Sequence, residues 1–203
     1  MQRLVVATRN QGKLREVKAL LANYPFEVLS LAEFPDFPEI KETGLTFAEN
    51  AKIKATLIAE HTGLIALGDD SGLEVDCLDG APGVYSARFA GEDGDDLRNN
   101  QKLLSILKEI PPQQRTARFR CVMALEIPGD ASIHLTEGTC EGLIGYELVG
   151  DQGFGYDPLF IIPEYGLTLA QLDLDTKNKI SHRAQALKKA IAILLNAYSL
   201  KSI

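Results

Sequence analysis

Cysteine is scarce in this chain, with Cys77, Cys121 and Cys140 the only three among 203 residues, far apart and odd in number. No pair has CxxC spacing, which argues against a disulfide framework or a zinc site and leaves buried thiols in a reducing compartment as the expectation. Long apolar runs are missing too. None approaches the roughly 20 residues needed to span a bilayer, and the run after Met1-Gln2-Arg3 covers only Leu4 to Ala7. That is too short for the core of a signal peptide, so a cytoplasmic location with no membrane partner is expected. There is also no basic stripe. A formal charge of -7 argues against nucleic acid as the main partner, although an acidic protein still binds a polyanion where lysines converge or a divalent metal bridges. Like-charge runs, low-complexity tracts and internal repeats are absent. What is present is a chain 45% apolar and 24% charged, ample for the core of a single domain, with or without two lobes.

Residues 3–8 read as a buried strand that runs into a turn at Gly12, followed by a helix marked by Leu14, Val17, Leu20 and Leu21. Phe26 to Leu31 is a second strand, and 32–44, with Pro35 and Pro38, a surface loop. Thr46-Phe47-Ala48-Glu49 has capping-box form and opens a helix ending near Gly63. Residues 64–68 form a short buried strand ending in Asp69-Asp70-Ser71-Gly72, and 73–94 is loop-rich. A helix over about 95–110 stops at Pro111-Pro112. Strands near 116–127 and 132–144 pair as a hairpin across Pro128-Gly129-Asp130. After a loop at 154–158 come a short strand, Leu159 to Ile162, and a final helix from Ser181 with Leu187, Ala190, Ile191, Leu194 and Tyr198 as its apolar stripe. Strands alternating with helices, then an antiparallel pair, indicate an α/β domain with a mixed sheet. Two lobes around a cleft is a compatible refinement.

Four constellations could carry chemistry. In Thr8-Arg9-Asn10-Gln11-Gly12-Lys13 a strand, a glycine turn and a helix start present free N–H groups where the helix dipole favours an anion. Lys13 is unfavourable in a first helical turn unless an anion lies beside it. The turn lacks the GxxxxGK[ST] pattern, so alone it is as well explained by an ordinary β-α connection. Next, Asn50 and Lys54 lie four apart and share a helix face, with Glu42 upstream in Glu42-Thr43-Gly44; a solvated loop explains Glu42 alone better. Third, Asp69 and Asp70 after a buried run are costly without a compensating cation. If strand geometry persists they point to opposite sides, and magnesium suits one or two carboxylates plus phosphate oxygens. The alternative is an Asx-turn followed by Gly72 at positive φ. Fourth, Phe154 between Gly153 and Gly155 offers a ring face for stacking, while Ser181 as an N-cap sets His182 and Arg183 at a positive helix end, with Lys177 upstream.

In register, these segments resemble the Ham1/RdgB family of inosine triphosphate pyrophosphatases. The motifs run nearly the whole chain: Ala7 to Lys13, Glu42 to Ala51 with Lys54-Ala55, Asp69 to Leu73, Gly80 to Arg88, Gly153 to Pro158 and Ser181 to Arg183. The resemblance implies an elongated, two-lobed α/β fold around a mixed sheet with flanking helices and a central substrate cleft, as one domain over 1–203, and a homodimer. It implies magnesium-dependent hydrolysis of non-standard purine triphosphates (ITP, dITP, XTP) to the monophosphate and pyrophosphate, cleansing the nucleotide pool. Carried over by position, Thr8, Asn10 and Lys13 hold phosphates within the turn that also contains Arg9, Gln11 and Gly12, with Asn50 and Lys54 close by. Glu42 and Asp70 serve the metal, and Asp70 accepts the proton of the attacking water. Ser71 contacts substrate, Phe154 stacks on the base, and Gly155, Tyr156, Asp157, Lys177, His182 and Arg183 complete the base and sugar pocket. Arg9 departs from the pattern, since many relatives have a small residue there. Two other readings rank lower: the Maf-like pyrophosphatases, whose N-terminal turn is serine- and arginine-rich, and a non-catalytic nucleotide sensor, which intact Glu42, Asp69 and Asp70 disfavour.

Overall fold

A computed structural model describes residues 1–91 and 94–198. Glu92 and Asp93, within the expected loop-rich stretch, and residues 199–203 lie outside the described residues. The strands are β1 (Gln2–Val6), β2 (Phe26–Ser30), β3 (Ile65–Val75), β4 (Thr116–Glu126), β5 (His134–Ile144), β6 (Phe160–Ile162) and β7 (Leu167–Thr168). They form one sheet in the order β2-β1-β3-β4-β5-β6-β7. Pairing is parallel at β1–β2 and β1–β3 and antiparallel at β5–β6 and β6–β7, so the sheet is mixed, as expected. The helices are α1 (Gln11–Leu21), α2 (Phe47–Thr62), α3 (Asp96–Ile106), α4 (Leu174–Ile180) and α5 (His182–Ala197). None of the described helices is long and apolar enough to cross a membrane. The chain divides into two compact units.

The first unit takes Met1–Asp70, Cys121–Gly138 and the chain from His182 onward. β1 pairs with β2 on one side (Leu4 opposite Val28) and β3 on the other (Leu4 opposite Ile65). The chain therefore leaves β1 towards β2 and returns on its far side at β3, which creates a topological switch point at the carboxyl ends of β1 and β3. Ligands of open α/β sheets bind at such points. Helix starts are fixed locally. Asn10 caps α1 by accepting the Lys13 N–H, and Thr46 and Glu49 close the expected capping box on α2, each such cap contributing about 1 kcal/mol. The core joins Leu4, Val6, Val17, Leu21, Leu67, Met123, Leu125, Leu187, Ile191 and Leu194.

β3 alternates with period two. Ile65 and Leu67 enter that core, while Gly68 faces the backbone of α2. A Cβ on Gly68 would lie 2.1 Å from the Ala51 carbonyl oxygen, so only glycine lets the helix close on the strand here.

The second unit takes Ser71–Arg120 and Thr139–Ser181. Leu73, Val75, Leu103, Leu107, Phe119, Tyr156, Phe160 and Leu169 form its core. Arg115, 1% exposed, is tied to three carbonyls: Nε donates to Ile144, Nη1 to Leu107 and Nη2 to Gly145, at 2.9, 2.8 and 2.6 Å. A buried guanidinium satisfied this way cross-links α3 to the end of β5 rather than serving a ligand.

Three expectations change. β3 is an 11-residue strand that continues through Asp69-Asp70-Ser71-Gly72, so neither the Asx-turn nor a positive φ at Gly72 is present. Cys77 is exposed; only Cys121 and Cys140 are buried, and all three are free thiols. Helix α4 and strand β7 went unread, because seven and two residues are too few for a periodicity to register. Ser181 directly precedes α5, as expected, but it is also the C-cap of α4, its N–H bonded to the Lys177 carbonyl.

Candidate active site

The two adjacent aspartates on β3 open onto opposite faces of the sheet, as strand geometry requires. Asp69 follows the parity of Ile65 and Leu67. Its Oδ1 accepts from Lys13 Nζ at 2.7 Å and its Oδ2 from Arg183 Nε at 2.8 Å, and the Cys121 thiol approaches at 3.6 Å. Arg183 Nη1 in turn meets Glu16 Oε2 at 2.5 Å. Lys13 thus has an anion beside it in the first turn of α1, supplied by the protein itself. Burial opposes charge on Asp69, but Arg183 and Lys13 outweigh it and hold the carboxyl well below the usual range. Burial likewise opposes the Arg183 charge and is outweighed by Asp69 and Glu16, which raise its pKa. The Cys121 thiol is pushed well up by burial and by Asp69.

Asp70 takes the other face, against α2. Lys54 Nζ donates to its Oδ1 at 2.8 Å and Asn50 Nδ2 to its Oδ2 at 3.2 Å. The same Lys54 nitrogen reaches the Asp69 carbonyl at 3.0 Å and Glu42 Oε1 at 2.9 Å. Burial raises the Asp70 pKa against the pull of Lys54 and Lys13. It works against Lys54 as well, yet Asp70 and Glu42 prevail and raise that pKa. Neighbouring carboxyls on one strand are therefore shifted in opposite directions.

Among these groups the carboxylates Glu16, Glu42, Asp69 and Asp70 face the cations Lys13, Lys54 and Arg183. Burial is the main cause of the raised Asp70 pKa, and the Glu42 carboxylate adds to it. No cluster of three or more His, Cys, Asp or Glu side chains that could hold a metal alone occurs among the described residues. Two hard carboxylates, Glu42 and Asp70, meeting at one lysine fit a magnesium-type ion, which needs only one or two carboxylates and completes its shell with phosphate and water.

Asn50 departs from expectation. It has no exposed surface; its Oδ1 accepts the Gly44 N–H at 2.8 Å while its Nδ2 serves Asp70. Its amide ties Asp70 to the Glu42–Gly44 loop. In the opening turn, Thr8 Oγ1 accepts the Asn10 N–H at 3.1 Å, Asn10 Oδ1 takes the Lys13 N–H at 3.0 Å, and Arg9 and Gln11 are exposed. Gly12 and Lys13, which follow, are half-buried, and Ser71 follows Asp70 on β3, also half-buried.

Of the fourth constellation, Phe154, Asp157 and Lys177 are brought together in the second unit. Asp157 Oδ2 accepts the Phe154 N–H at 2.9 Å and Lys177 Nζ at 2.5 Å, and that ammonium lies 5.0 Å from the Phe154 ring centroid. Gly153 has φ +78, and a Cβ there would lie 2.0 Å from Asp157 Oδ2, so the turn tolerates no side chain at this position. The Tyr156 side chain turns inward. It is 4% exposed, packs in the core, and its hydroxyl donates to the Ser86 carbonyl at 2.9 Å; burial raises its pKa. A side chain so enclosed supports the loop. His182 and Arg183 belong to the first unit, buried at the start of α5. Arg183 is not an open donor, since Nε and Nη1 are committed to Asp69 and Glu16.

Glu16 was missed by sequence reasoning, though it is 2% exposed. A glutamate three positions after Lys13 reads as a solvated helix residue, and only its placement between the apolar positions Leu14, Val17 and Leu21 hinted at burial.

A switch point flanked by paired acids and lysines, with a helix start beside it, defines an α/β protein built to handle phosphoanions. The chain belongs to the Ham1 family, whose model matches residues 4–193. It is 58% identical to a dITP/XTP pyrophosphatase of Desulforamulus reducens, covering 97% of each chain, and 56% identical to one of Geobacter sulfurreducens, covering 92% of this chain and 94% of the relative. The solved structure of a HAM1 protein from Coxiella burnetii superimposes with a TM-score of 0.86 at 44% identity, over 97% of this chain and all of that one.

Proposed function

We propose that this chain is a nucleoside triphosphate pyrophosphatase that hydrolyses ITP, dITP and XTP to the monophosphate and pyrophosphate. The relatives at 56 and 58% identity are named dITP/XTP pyrophosphatases. The observation that carries the chemistry is the opposed wiring of Asp69 and Asp70 on β3. Lys13, with Thr8, Asn10 and the N–H groups of the α1 turn, binds the phosphate chain, and Lys54 stabilises charge developing on departing pyrophosphate. Asp69 holds Lys13 and Arg183 in place. Glu42 and Asp70 would hold magnesium, which supplies charge neutralisation and a more acidic water. Asp70 accepts the proton as water attacks the α-phosphorus, with Asn50 and Lys54 fixing the direction of its carboxylate. Ser71 contacts the substrate beside it.

In the second unit Phe154 stacks on the base, while Asp157 and Lys177 hold its loop. Selection rests on the 6-position. Backbone N–H donors suit a keto oxygen and face a mismatch with the amino group of adenine. An unsatisfied donor costs about 1–3 kcal/mol, or roughly 5- to 150-fold in rate.

The deciding experiment is a nucleotide panel assayed for pyrophosphate and orthophosphate with magnesium and with EDTA. Pyrophosphate from ITP, dITP and XTP, little from ATP, and none with EDTA is expected. Orthophosphate as direct product, or equal use of ATP, refutes the reading. Asp70→Asn should abolish turnover yet bind ITP with near wild-type affinity by calorimetry; lost binding refutes its assignment as proton acceptor. The resemblance also extends the proposal to a homodimer acting on the cytoplasmic nucleotide pool, the former checked by sedimentation velocity.

A further inference from the structure

Phe154 sits in a loop whose own sequence, Gly153-Phe154-Gly155, does little to fix it. The restraint comes from α3. Gly155 N–H donates to Asp96 Oδ2 at 2.7 Å, and Asn100 Nδ2 donates to the Gly155 carbonyl at 2.8 Å. Asp96 and Asn100 are four apart, so they share one helix face, and together they hold both peptide groups flanking the Gly155 Cα. Asn100 Nδ2 also donates to the Asp96 carbonyl at 2.7 Å, which fixes its rotamer. The Phe154 N–H is meanwhile taken by Asp157 Oδ2. The peptide groups on both sides of Phe154 are thus anchored, and its ring retains only side-chain rotation above Lys177.

We propose that Asp96 and Asn100 are positioning residues that preset Phe154 for the base, so that nucleotide binding does not have to order the loop. No motif pointed to either residue. Asp96 reads as a first-turn acid favoured by the helix dipole. Asn100, 3% exposed inside a helix, is a poor helix former whose burial demands partners, and one partner lies 55 residues away.

The inference rests on Phe154 being the base-stacking residue, and the test separates the two. Steady-state kinetics with ITP would compare wild type, Phe154→Ala, Asp96→Ala, Asp96→Asn and Asn100→Ala. Inorganic tripolyphosphate, which has the phosphates and no base, serves as a competitive inhibitor, and thermal melting reports stability. Asp96 is exposed, so its variants keep the fold and carry the test even if Asn100→Ala melts early. Freeing an ordered aromatic loop should raise KM about 3- to 10-fold with kcat within about twofold. Inhibition by tripolyphosphate should stay at the wild-type value, and the melting temperature of Asp96→Ala should fall by no more than about 4 °C, the loss of a first-turn helix acid. Asp96→Asn, which keeps an acceptor oxygen, should restore KM.

If Phe154→Ala raises KM while Asp96→Ala does not, the positioning role is overturned and the base reading stands. If Phe154→Ala leaves KM unchanged, the base reading fails and takes this inference with it. A rise in tripolyphosphate inhibition constant parallel to KM would mean a general disturbance and also overturn the proposal.

Discussion

Replacing Arg183 by methionine keeps most of the side-chain volume and removes a cation shared by two buried carboxylates. Asp69 would retain Lys13 at 2.7 Å, whereas Glu16, 2% exposed, would lose its 2.5 Å ion pair. Breaking a buried pair by deleting one partner costs about 3–5 kcal/mol, because the remaining charge stays buried. For a chain of this size that corresponds to roughly 6–20 °C in melting temperature. The measurement is urea unfolding with EDTA present, so that no bound metal contributes.

The deficit should also depend on pH. In the wild type Asp69 has a depressed folded pKa, so its contribution is complete above the unfolded value of about 3.9 and is lost as pH falls through the folded one. Without Arg183 that depression relaxes. The deficit is then largest at neutral pH and shrinks as pH drops into and below the carboxylate range. Glu16→Gln combined with Arg183→Met should destabilise less than the two single changes added together, since the carboxylate that faced Arg183 no longer carries a buried charge. A loss under about 1 kcal/mol at neutral pH, or strict additivity, would refute a buried network dependent on this arginine.

Gly68→Ala would drive a Cβ to 2.1 Å from the Ala51 oxygen and 2.9 Å from the Ala55 nitrogen. Separating α2 from β3 should cost about 1–3 kcal/mol or more and reduce turnover, because Lys54 and Asn50 ride on that helix; unchanged denaturation and kinetics would contradict the close approach. In the native protein iodoacetamide should label Cys77 alone at mildly alkaline pH, as read by mass spectrometry. Cys140 is pushed up by burial to about 11 and Cys121 well above its ordinary value, so both remain protonated thiols; rapid labelling of either would show them accessible.

Local patterns reached far in this chain. The α1 and α2 caps, the apolar stripe of α5 and the β4–β5 pair were all readable, because caps and periodicities are encoded within a few residues. The opposed directions of Asp69 and Asp70 were legible on the condition that β3 continued, since side-chain alternation follows from strand geometry alone. What could not be read is which partner each carboxylate meets. Lys13 and Lys54 both looked available to phosphate, and the fold gives one to Asp69 and the other to Asp70 and Glu42. Asn50, Tyr156 and Arg183 looked like ligand contacts; tertiary packing buries all three and satisfies their polar atoms internally. Glu16, Asp96 and Asn100 carried no motif and acquired their roles from residues 167, 59 and 55 positions away. By itself the sequence determined the longer elements, the mixed α/β order and which residues could bear charge. Only the tertiary structure decided how those charges pair, because burial energies and ion-pair geometry depend on distances across the chain that no local spacing encodes.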